Sequence, residues 1–94
     1  MLDFKNLLKQ EKEIWFKVEK TEKLKFLKFL KDQGCVWING KEIDLKNDKI
    51  NSFMGVNANL ELGFVSAMCW CSNLKNNTKK KYKISDFIEE ELNV

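Results

Sequence analysis

The segment EKLKFLKFLKDQGCVWING, residues 22–40, decides the fold because it contains a helix, the signal that ends the helix and the start of a strand. Its apolar residues recur at helical spacing over residues 24–30, with lysines on the opposite side, which is typical of an amphipathic helix packed against a core. Thr21 is placed to cap the N-terminus of this helix. Gly34 follows the last turn, where a residue with positive φ commonly ends a helix. The pattern predicts one long helix that stops just before Gly34.

The second half of the segment predicts a strand and a tight turn. Residues 35–38, CVWI, are apolar and rich in β-branched side chains, and Asn39 with Gly40 is a strong hairpin-turn signal. Residues 41–45, KEIDL, would form the returning strand. We therefore expect a β-hairpin directly after the helix.

Upstream, residues 13–19 alternate between apolar and polar side chains, which is the period of a half-buried strand. The alternation places Ile14 and Phe16 on the core face and Trp15 on the wetter face. Before this strand, apolar residues at helical spacing predict a short helix capped by Asp3.

Downstream, the alternation of residues 53–64 predicts a second hairpin. One strand runs from Phe53 to Val56, an Asn-Ala-Asn turn follows, and residues 60–64 form the return. Gly55 and Gly63 indicate a bulge or the close approach of another backbone.

The last third of the chain is less regular. Residues 64–70 are expected to continue as a bent strand, which would place Cys69 and Cys71 on one face. A last strand is predicted at residues 82–84, and Ser85 is placed to cap a final short helix.

These elements predict an α+β fold in a single domain, residues 1–94. We expect a mostly antiparallel sheet of about four to five strands, with one long amphipathic helix packed on one face and short terminal helices. Four phenylalanines are assigned to the core: Phe26, Phe29, Phe53 and Phe64.

The composition makes several functional classes improbable. The chain has no histidine, so a general base near neutral pH would have to be a carboxylate or lysine with a shifted pKa. No glycine-rich phosphate loop, nucleophile elbow or carboxylate-rich metal loop is present. The net charge of +3 is low for a dedicated nucleic-acid binder. We therefore expect a protein that is not an enzyme and that needs no cofactor.

Apolar runs of only a few residues fall far short of the roughly 20 that span a bilayer. With no recognisable secretion signal, we expect a cytoplasmic protein with no membrane contact. Its cysteines, Cys35, Cys69 and Cys71, are then reduced and act as small buried hydrophobes. A metal site is the alternative, but zinc usually takes four ligands built on C-x-x-C pairs. No metal is expected.

Candidate partner-binding residues fall into three groups: an aromatic residue on the wetter strand face, a basic stretch and an acidic stretch. They are Trp15; Lys79, Lys80, Lys81, Tyr82 and Lys83; and Glu89, Glu90 and Glu91. Exposed tryptophan is common at interface hot spots, clustered lysines attract phosphate or acidic surfaces, and clustered carboxylates present a field similar to that of phosphates. The alternative for both charged stretches is a solvated surface.

The strand IWFKV, the helix KLKFLKFLKDQG, the strand CVWING and the late YKISDFI resemble small phage- and prophage-encoded accessory proteins of AT-rich bacteria. The likeness covers residues 13–40 and 82–88, and Gly34, Trp37 and Gly40 match a G-x-x-W-x-x-G spacing. No binding residue transfers from this family to the chain.

The resemblance implies an anti-CRISPR-like context inside a host bacterial cell. Its implied function is inhibition of a bacterial defence system by stoichiometric binding to a CRISPR nuclease or complex subunit. The first alternative is a nucleic-acid-binding accessory protein that uses the basic residues 75–83 for nonspecific contact. The second is a homo-oligomeric structural module, with a homodimer as its simplest form.

Overall fold

The structure, a computed structural model, describes residues 2–76 and 81–88. Within them lie the helices α1 (Phe4–Glu11), α2 (Lys23–Asp32) and α3 (Ala67–Asn76), and the strands β1 (Glu13–Lys17), β2 (Val36–Trp37), β3 (Phe53–Asn57), β4 (Glu61–Phe64) and β5 (Lys81–Tyr82). Short 3₁₀ helices, Lys20–Glu22 and Ile84–Asp86, precede α2 and follow β5. In this part of the chain, no helix has both the length and the apolar character needed to cross a membrane.

The strands form one mixed sheet in the order β2-β4-β3-β1-β5. The pairs β1–β3 and β3–β4 are antiparallel, whereas β1–β5 and β2–β4 are parallel. The α+β class is therefore confirmed, and the expected mostly antiparallel sheet is wrong. β2 and β5 each join the sheet beside a strand that is not their neighbour in sequence, and each runs parallel to it.

The turn after β2 lies where it was predicted, but the returning strand does not form. Gly40 has a φ of 89°, and its N–H donates to the carbonyl of Trp37 at 2.8 Å. Beyond the turn, the chain makes a single antiparallel bridge between Val36 and Glu42 and then turns inward to bury Ile43. β2 instead pairs with β4 on its other side.

A hydrogen-bonded loop over residues 44–48 holds Trp37 in place. The indole N–H of Trp37 and the backbone N–H of Asp44 both donate to Oδ2 of Asp48. The side-chain amide of Asn47 and the backbone N–H groups of Lys46 and Asn47 donate to the Asp44 carboxylate, and these hydrogen bonds lower its pKa below the ordinary value.

Helix α2 has ten residues and is preceded by a separate 3₁₀ turn, so the expected single long helix is wrong. Thr21 lies inside the 3₁₀ turn and does not cap α2, whose N-cap residue is Glu22 without a side-chain capping bond. The buried residues of α2 are Phe26, Leu27 and Leu30, whereas Leu24, which the spacing also placed on the apolar side, is 60% exposed.

The C-terminus of α2 is confirmed. Gly34 has a φ of 88°. Its N–H donates to the carbonyl of Lys31 at 3.0 Å, and the N–H of Cys35 donates to the carbonyl of Leu30 at 2.9 Å. This pair of bonds satisfies the last carbonyls of the helix and requires the left-handed residue that glycine supplies.

The main core lies between one face of the sheet and helices α1 and α2. Alternate strand residues point into it, including Ile14 and Phe16 from β1 and Met54 from β3, all fully buried. Helix α1 begins as predicted, with Oδ1 of Asp3 accepting from the backbone N–H of Asn6 at 3.2 Å.

Helix α3 replaces the bent strand that was expected over residues 64–70. The strand β4 ends at Phe64, and Ser66 then starts the helix by accepting the backbone N–H of Cys69 on its Oγ at 3.1 Å. The carbonyl of Ser66 accepts the backbone N–H of Trp70 at 2.9 Å. Trp70 is only 7% exposed, so packing of this side chain holds the helix against the sheet.

The C-terminal strand β5 pairs with β1 through Trp15 with Lys81 and Phe16 with Tyr82, one residue earlier than predicted. Ser85 lies within the following 3₁₀ helix rather than capping a helix. The N–H of Lys83 donates to the Asp86 carboxylate at 2.9 Å. The remainder of the predicted final helix lies outside the described residues.

Candidate functional site

The face of the sheet opposite the main core carries an aromatic stack. Trp15 of β1 and Phe53 of β3 project from this face, and Trp70 of α3 packs against both. The ring centroids of Trp70 and Phe53 are 4.7 Å apart, and those of Trp70 and Trp15 are 6.0 Å apart. The stack places α3 across the sheet and leaves Trp15 half-buried beside the helix N-terminus.

Lysine side chains lie against this stack. The amine of Lys17 is 4.6 Å from the ring centroid of Phe53, and that of Lys81 is 5.4 Å from Trp70 and 5.8 Å from Trp15. Such contacts are favourable because the face of an aromatic ring attracts a cation. Both amines thus lie against the aromatic stack on this face of the sheet.

A groove of about 230 Å³ lies on the other side of Trp15, between the start of α3 and the edge of the sheet near β2. Its lining residues come from β1, β3 and β4, from the residue that follows β2, and from α3 and the segment that leads into it. They are Glu13, Trp15, Ile38, Gly55, Asn57, Glu61, Gly63, Phe64, Val65, Ser66 and Cys69.

Two glycines that face each other across β3 and β4 line this groove. Gly55 and Gly63 are partners in the antiparallel register, so neither strand places a side chain there. A methyl group on Gly55 would meet Trp15 and Val65, whereas one on Gly63 would meet no atom within 4 Å. The expected close approach is therefore made at Gly55 by side chains rather than by another backbone, and Gly63 leaves open space.

Three polar residues of the groove, Glu13, Asn57 and Glu61, lie in a row at the end where β3 turns into β4. Glu13 is the register partner of Asn57, and Glu61 follows the turn. Oε1 of Glu13 accepts the indole N–H of Trp15 at 2.8 Å, and Oε1 of Glu61 accepts the side-chain amide of Asn57 at 2.9 Å. The hydrogen bonds hold both carboxylates in position.

Exposed apolar side chains stand at the edge of the groove. Ile38 is 65% exposed and Phe64 is 58% exposed, and both line it. Phe64 was expected in the core but lies at the end of β4, where it stacks on Trp37 at a centroid distance of 5.5 Å. Met68, on the first turn of α3, is 80% exposed. Exposed apolar side chains that line one groove together, as Ile38 and Phe64 do, are typical of interaction surfaces.

The structure brings together part of the predicted partner-binding set. Trp15 and Lys81 are register partners on the same face of the sheet. Tyr82 lies on the opposite face, where its ring contacts Phe87 at 5.6 Å, and Lys83 is exposed after the strand. The other members of the set, Lys79, Lys80, Glu89, Glu90 and Glu91, lie outside the described residues.

The sequence analysis expected three buried cysteines, but only one of them is buried. Cys35 is buried, whereas Cys69 and Cys71 are exposed on α3, which corrects their assignment as buried hydrophobes. Burial raises the pKa of the Cys35 thiol to about 11, although the nearby Lys5 ammonium opposes the shift. Among the described residues, no group of Cys, Asp and Glu side chains is arranged to hold a metal ion.

Sequence reasoning missed the groove and its residues Ile38, Glu61 and Phe64. The available signal was the pair of glycines, Gly55 and Gly63, in facing strands of a predicted hairpin. The register of β3 and β4 places the two glycines side by side, so together they leave one open area on the surface of the sheet.

The chain has no significant match among protein family models, curated proteins or solved structures.

Proposed function

We propose that this protein is a non-catalytic inhibitor that binds a bacterial defence protein stoichiometrically, of the anti-CRISPR type. The observation that carries the proposal is the groove beside Trp15, bordered by the exposed apolar side chains of Ile38 and Phe64. Burying such side chains against a partner supplies the apolar contribution to binding, and aromatic anchors commonly dominate that contribution.

The class of target comes from the resemblance of residues 13–40 and 82–88 to phage-encoded accessory proteins. Proteins of this kind inhibit by covering a functional surface of an effector or by blocking its movement. A small domain with a ready-made apolar surface is suited to that role, because binding requires little reorganisation of its own chain.

A non-catalytic mechanism agrees with the chemistry of the groove. The chain has no histidine, and the carboxylates of Glu13 and Glu61 accept hydrogen bonds that position Trp15 and Asn57. The groove thus offers carboxylate and apolar groups suited to recognition of a partner. An inhibitor that acts by covering a surface of its target needs only such recognition groups.

A second candidate is nonspecific nucleic-acid binding, favoured by the positions of Lys17 and Lys81 on one sheet face. Lys83 is exposed nearby, and Lys79 and Lys80 remain predicted contacts. Without arginine, such binding would depend on phosphate contacts and would weaken steeply with salt.

The deciding experiment uses the tagged protein in nuclease-treated lysate of a host bacterium, followed by mass spectrometry and an inhibition assay with the purified partner. Recovery of a defence protein whose activity falls at a one-to-one ratio would support the proposal. Failure to recover a defence protein, together with binding of the purified protein to labelled DNA or RNA that weakens steeply with salt and is lost when Lys81→Glu and Lys83→Glu are combined, would favour the second candidate. Self-association alone would contradict both and favour a homo-oligomeric module.

A matched pair of variants then locates the interface. Ile38 and Leu24 are both aliphatic and exposed, at 65% and 60%, but only Ile38 lines the groove. Ile38→Asp is expected to weaken partner binding about tenfold or more, whereas Leu24→Asp should leave it unchanged. Equal effects of the two substitutions would place the interface elsewhere.

A further inference from the structure

A second depression, of about 160 Å³, lies between helix α1 and the turn that joins β3 to β4. Among the described residues, it shares no lining residue with the groove beside Trp15. Two lysines of α1 and three apolar residues line this α1 depression: Lys5, Leu8, Lys9, Ala58 and Leu60. Leu8 is buried, whereas both lysines are exposed. The α1 depression therefore combines apolar surface with two positive charges.

The two lysines are placed unfavourably for the helix that carries them. Lys5 lies in the first turn of α1, which contains no acidic residue, and a positive charge there opposes the helix dipole. Lys5 and Lys9 are four residues apart, so their like charges lie on one face of the helix and repel each other. Within the part of the chain that the structure describes, neither ammonium pairs with a carboxylate. Both charges are therefore available to a partner.

Leu60 is held in a backbone conformation that leucine seldom adopts. Its φ is 62°, in the left-handed region where a side chain crowds the backbone. The N–H of Leu60 donates to the carbonyl of Asn57, and its carbonyl accepts the N–H of Val36, both at 3.0 Å. Asparagine or glycine would occupy this position with less strain. The leucine instead places a half-buried apolar side chain in the α1 depression.

Three residues that line one depression thus depart from the choice that local stability favours. Such departures concentrate at functional sites, because a requirement other than stability maintains them. The positive charge selects an anionic partner. Among the described lining residues there is no aromatic ring on which a nucleic-acid base could stack, whereas Leu8 and Leu60 offer surface to an apolar side chain. A peptide segment supplies both carboxylates and an apolar side chain.

We propose that the α1 depression is a docking surface for an acidic segment of a protein partner. Carboxylates of the segment contact Lys5 and Lys9, and an apolar side chain of the segment packs against Leu8 and Leu60. The inference goes beyond the proposed function, because it concerns a different surface and holds whether or not the partner is a defence protein.

The test titrates the ¹⁵N-labelled protein with the peptide acetyl-Glu-Glu-Leu-Glu-Glu-amide and follows the amide signals by NMR. One control peptide replaces every glutamate by glutamine, and the other replaces the leucine by serine. The expected result is a saturable shift of the amides of Lys5, Leu8, Lys9 and Leu60 that is strongest with the acidic leucine peptide. Equal shifts with either control peptide, or stronger shifts with a ten-residue oligothymidylate, would overturn the inference.

A matched pair of charge reversals locates the contact. Lys9→Glu should weaken binding of the acidic leucine peptide about tenfold, because it replaces attraction by repulsion. Lys41→Glu makes the same change at an exposed lysine outside the α1 depression and should leave binding unchanged. Equal losses in the two variants would mean that net charge alone attracts the peptide, and the docking surface would be wrong.

Two further substitutions separate binding from stability. Lys5→Glu places an acid in the first turn of α1 and pairs it with Lys9, so the midpoint of urea unfolding should rise while peptide binding is lost. Leu60→Asn suits the positive φ but removes the apolar side chain, so binding should weaken about fivefold while the circular dichroism spectrum is retained. A lower unfolding midpoint for Lys5→Glu, or full binding by Leu60→Asn, would contradict the inference.

These measurements use no defence protein, so they are independent of the proposed inhibitor function. If the peptide does not bind, the docking surface is wrong and the inhibitor function is unaffected. If the peptide binds as expected but no defence protein is inhibited, the docking surface stands and the inhibitor function is wrong.

Discussion

Gly55 lies directly opposite Trp15 in the paired strands β1 and β3, and a methyl group on Gly55 would come within 3.2 Å of Trp15 Cδ1. The same methyl group would come within 3.2 Å of Cγ2 of Val65. Both distances are shorter than ordinary van der Waals contacts. The absence of a side chain at Gly55 thus allows the indole to lie this close to the strand and to form one wall of the groove.

Gly55→Ala is therefore expected to destabilise the protein by about 1–3 kcal/mol, because the indole or Val65 must move to admit the methyl group. Gly63→Ala is the matched control in the facing strand, where nothing lies within 4 Å, and should change stability by no more than about 0.5 kcal/mol. Urea unfolding followed by circular dichroism measures both. Equal losses in the two variants would contradict the packing described.

Trp70→Ala should be the most damaging substitution in α3. Trp70 is 7% exposed and stacks on both Trp15 and Phe53, so its removal leaves a cavity under the helix. Truncation of a buried aromatic residue costs about 3–5 kcal/mol. Met68→Ala on the same helix, at a residue 80% exposed, should cost less than about 0.5 kcal/mol.

Thermal unfolding of the two α3 variants gives the comparison. A loss below about 1 kcal/mol for Trp70→Ala would mean that α3 does not depend on the aromatic stack. A large loss for Met68→Ala would show that this side chain is covered rather than exposed.

The sequence predicts best those parts of the fold that depend on local periodicity and backbone conformation. The alternation around Phe16 identifies β1, and the need for positive φ identifies Gly34 as the end of α2. Both features follow from chemistry within a few residues. The orientation of β2 and β5 depends instead on which distant strand each one joins, which no local pattern specifies.

The same distinction explains the errors near the candidate site. A short apolar run such as residues 64–70 fits a strand or a helix equally well, and the contact of Trp70 with the sheet decides for the helix. Phe64 has the spacing of a core residue but lies at the edge beside the two-residue strand β2, where little chain covers it. Of the candidate residues, Trp15 could be placed on the correct face, whereas the groove required knowledge of the register.

We expect the stability of the loop that holds Trp37, residues 44–48, to depend on pH. Hydrogen bonds from the Asn47 side chain and from two backbone N–H groups lower the pKa of Asp44 below its ordinary value of 3.8. The stabilisation from these hydrogen bonds is present above pH 3.8 and is lost as the pH falls through the lower pKa that Asp44 has in the folded state. Asn47→Ala should raise the pKa of Asp44 towards 3.8.

NMR titration of the side-chain carboxyl carbons measures this shift directly. Asn6→Ala, a substitution of the same type on the exposed surface of α1, should leave the pKa of Asp44 unchanged. An Asp44 pKa that does not respond to Asn47→Ala would show that the side-chain hydrogen bond is not formed in solution.

The cysteines should separate by reactivity, because only thiolates are alkylated rapidly. Cys69 and Cys71 are exposed on α3, whereas Cys35 is 3% exposed and burial raises its pKa to about 11. Brief treatment with iodoacetamide at pH 8 should add a label to Cys69 and Cys71 and leave Cys35 unmodified until urea unfolds the protein. Peptide mass spectrometry identifies the labelled residues.

The raised pKa of Cys35 also sets the direction of an alkaline effect. Because the pKa of Cys35 in the folded protein lies above the ordinary value of 9.0, the thiol of the unfolded chain ionises first as the pH rises. The free energy of unfolding is therefore fully retained below pH 9.0 and falls as the pH rises through about 11. Cys35→Ala removes the titrating group and should reduce the loss of stability over this range, whereas Cys71→Ala should not. Rapid labelling of Cys35 in the folded protein, or identical alkaline profiles for the two variants, would contradict its burial.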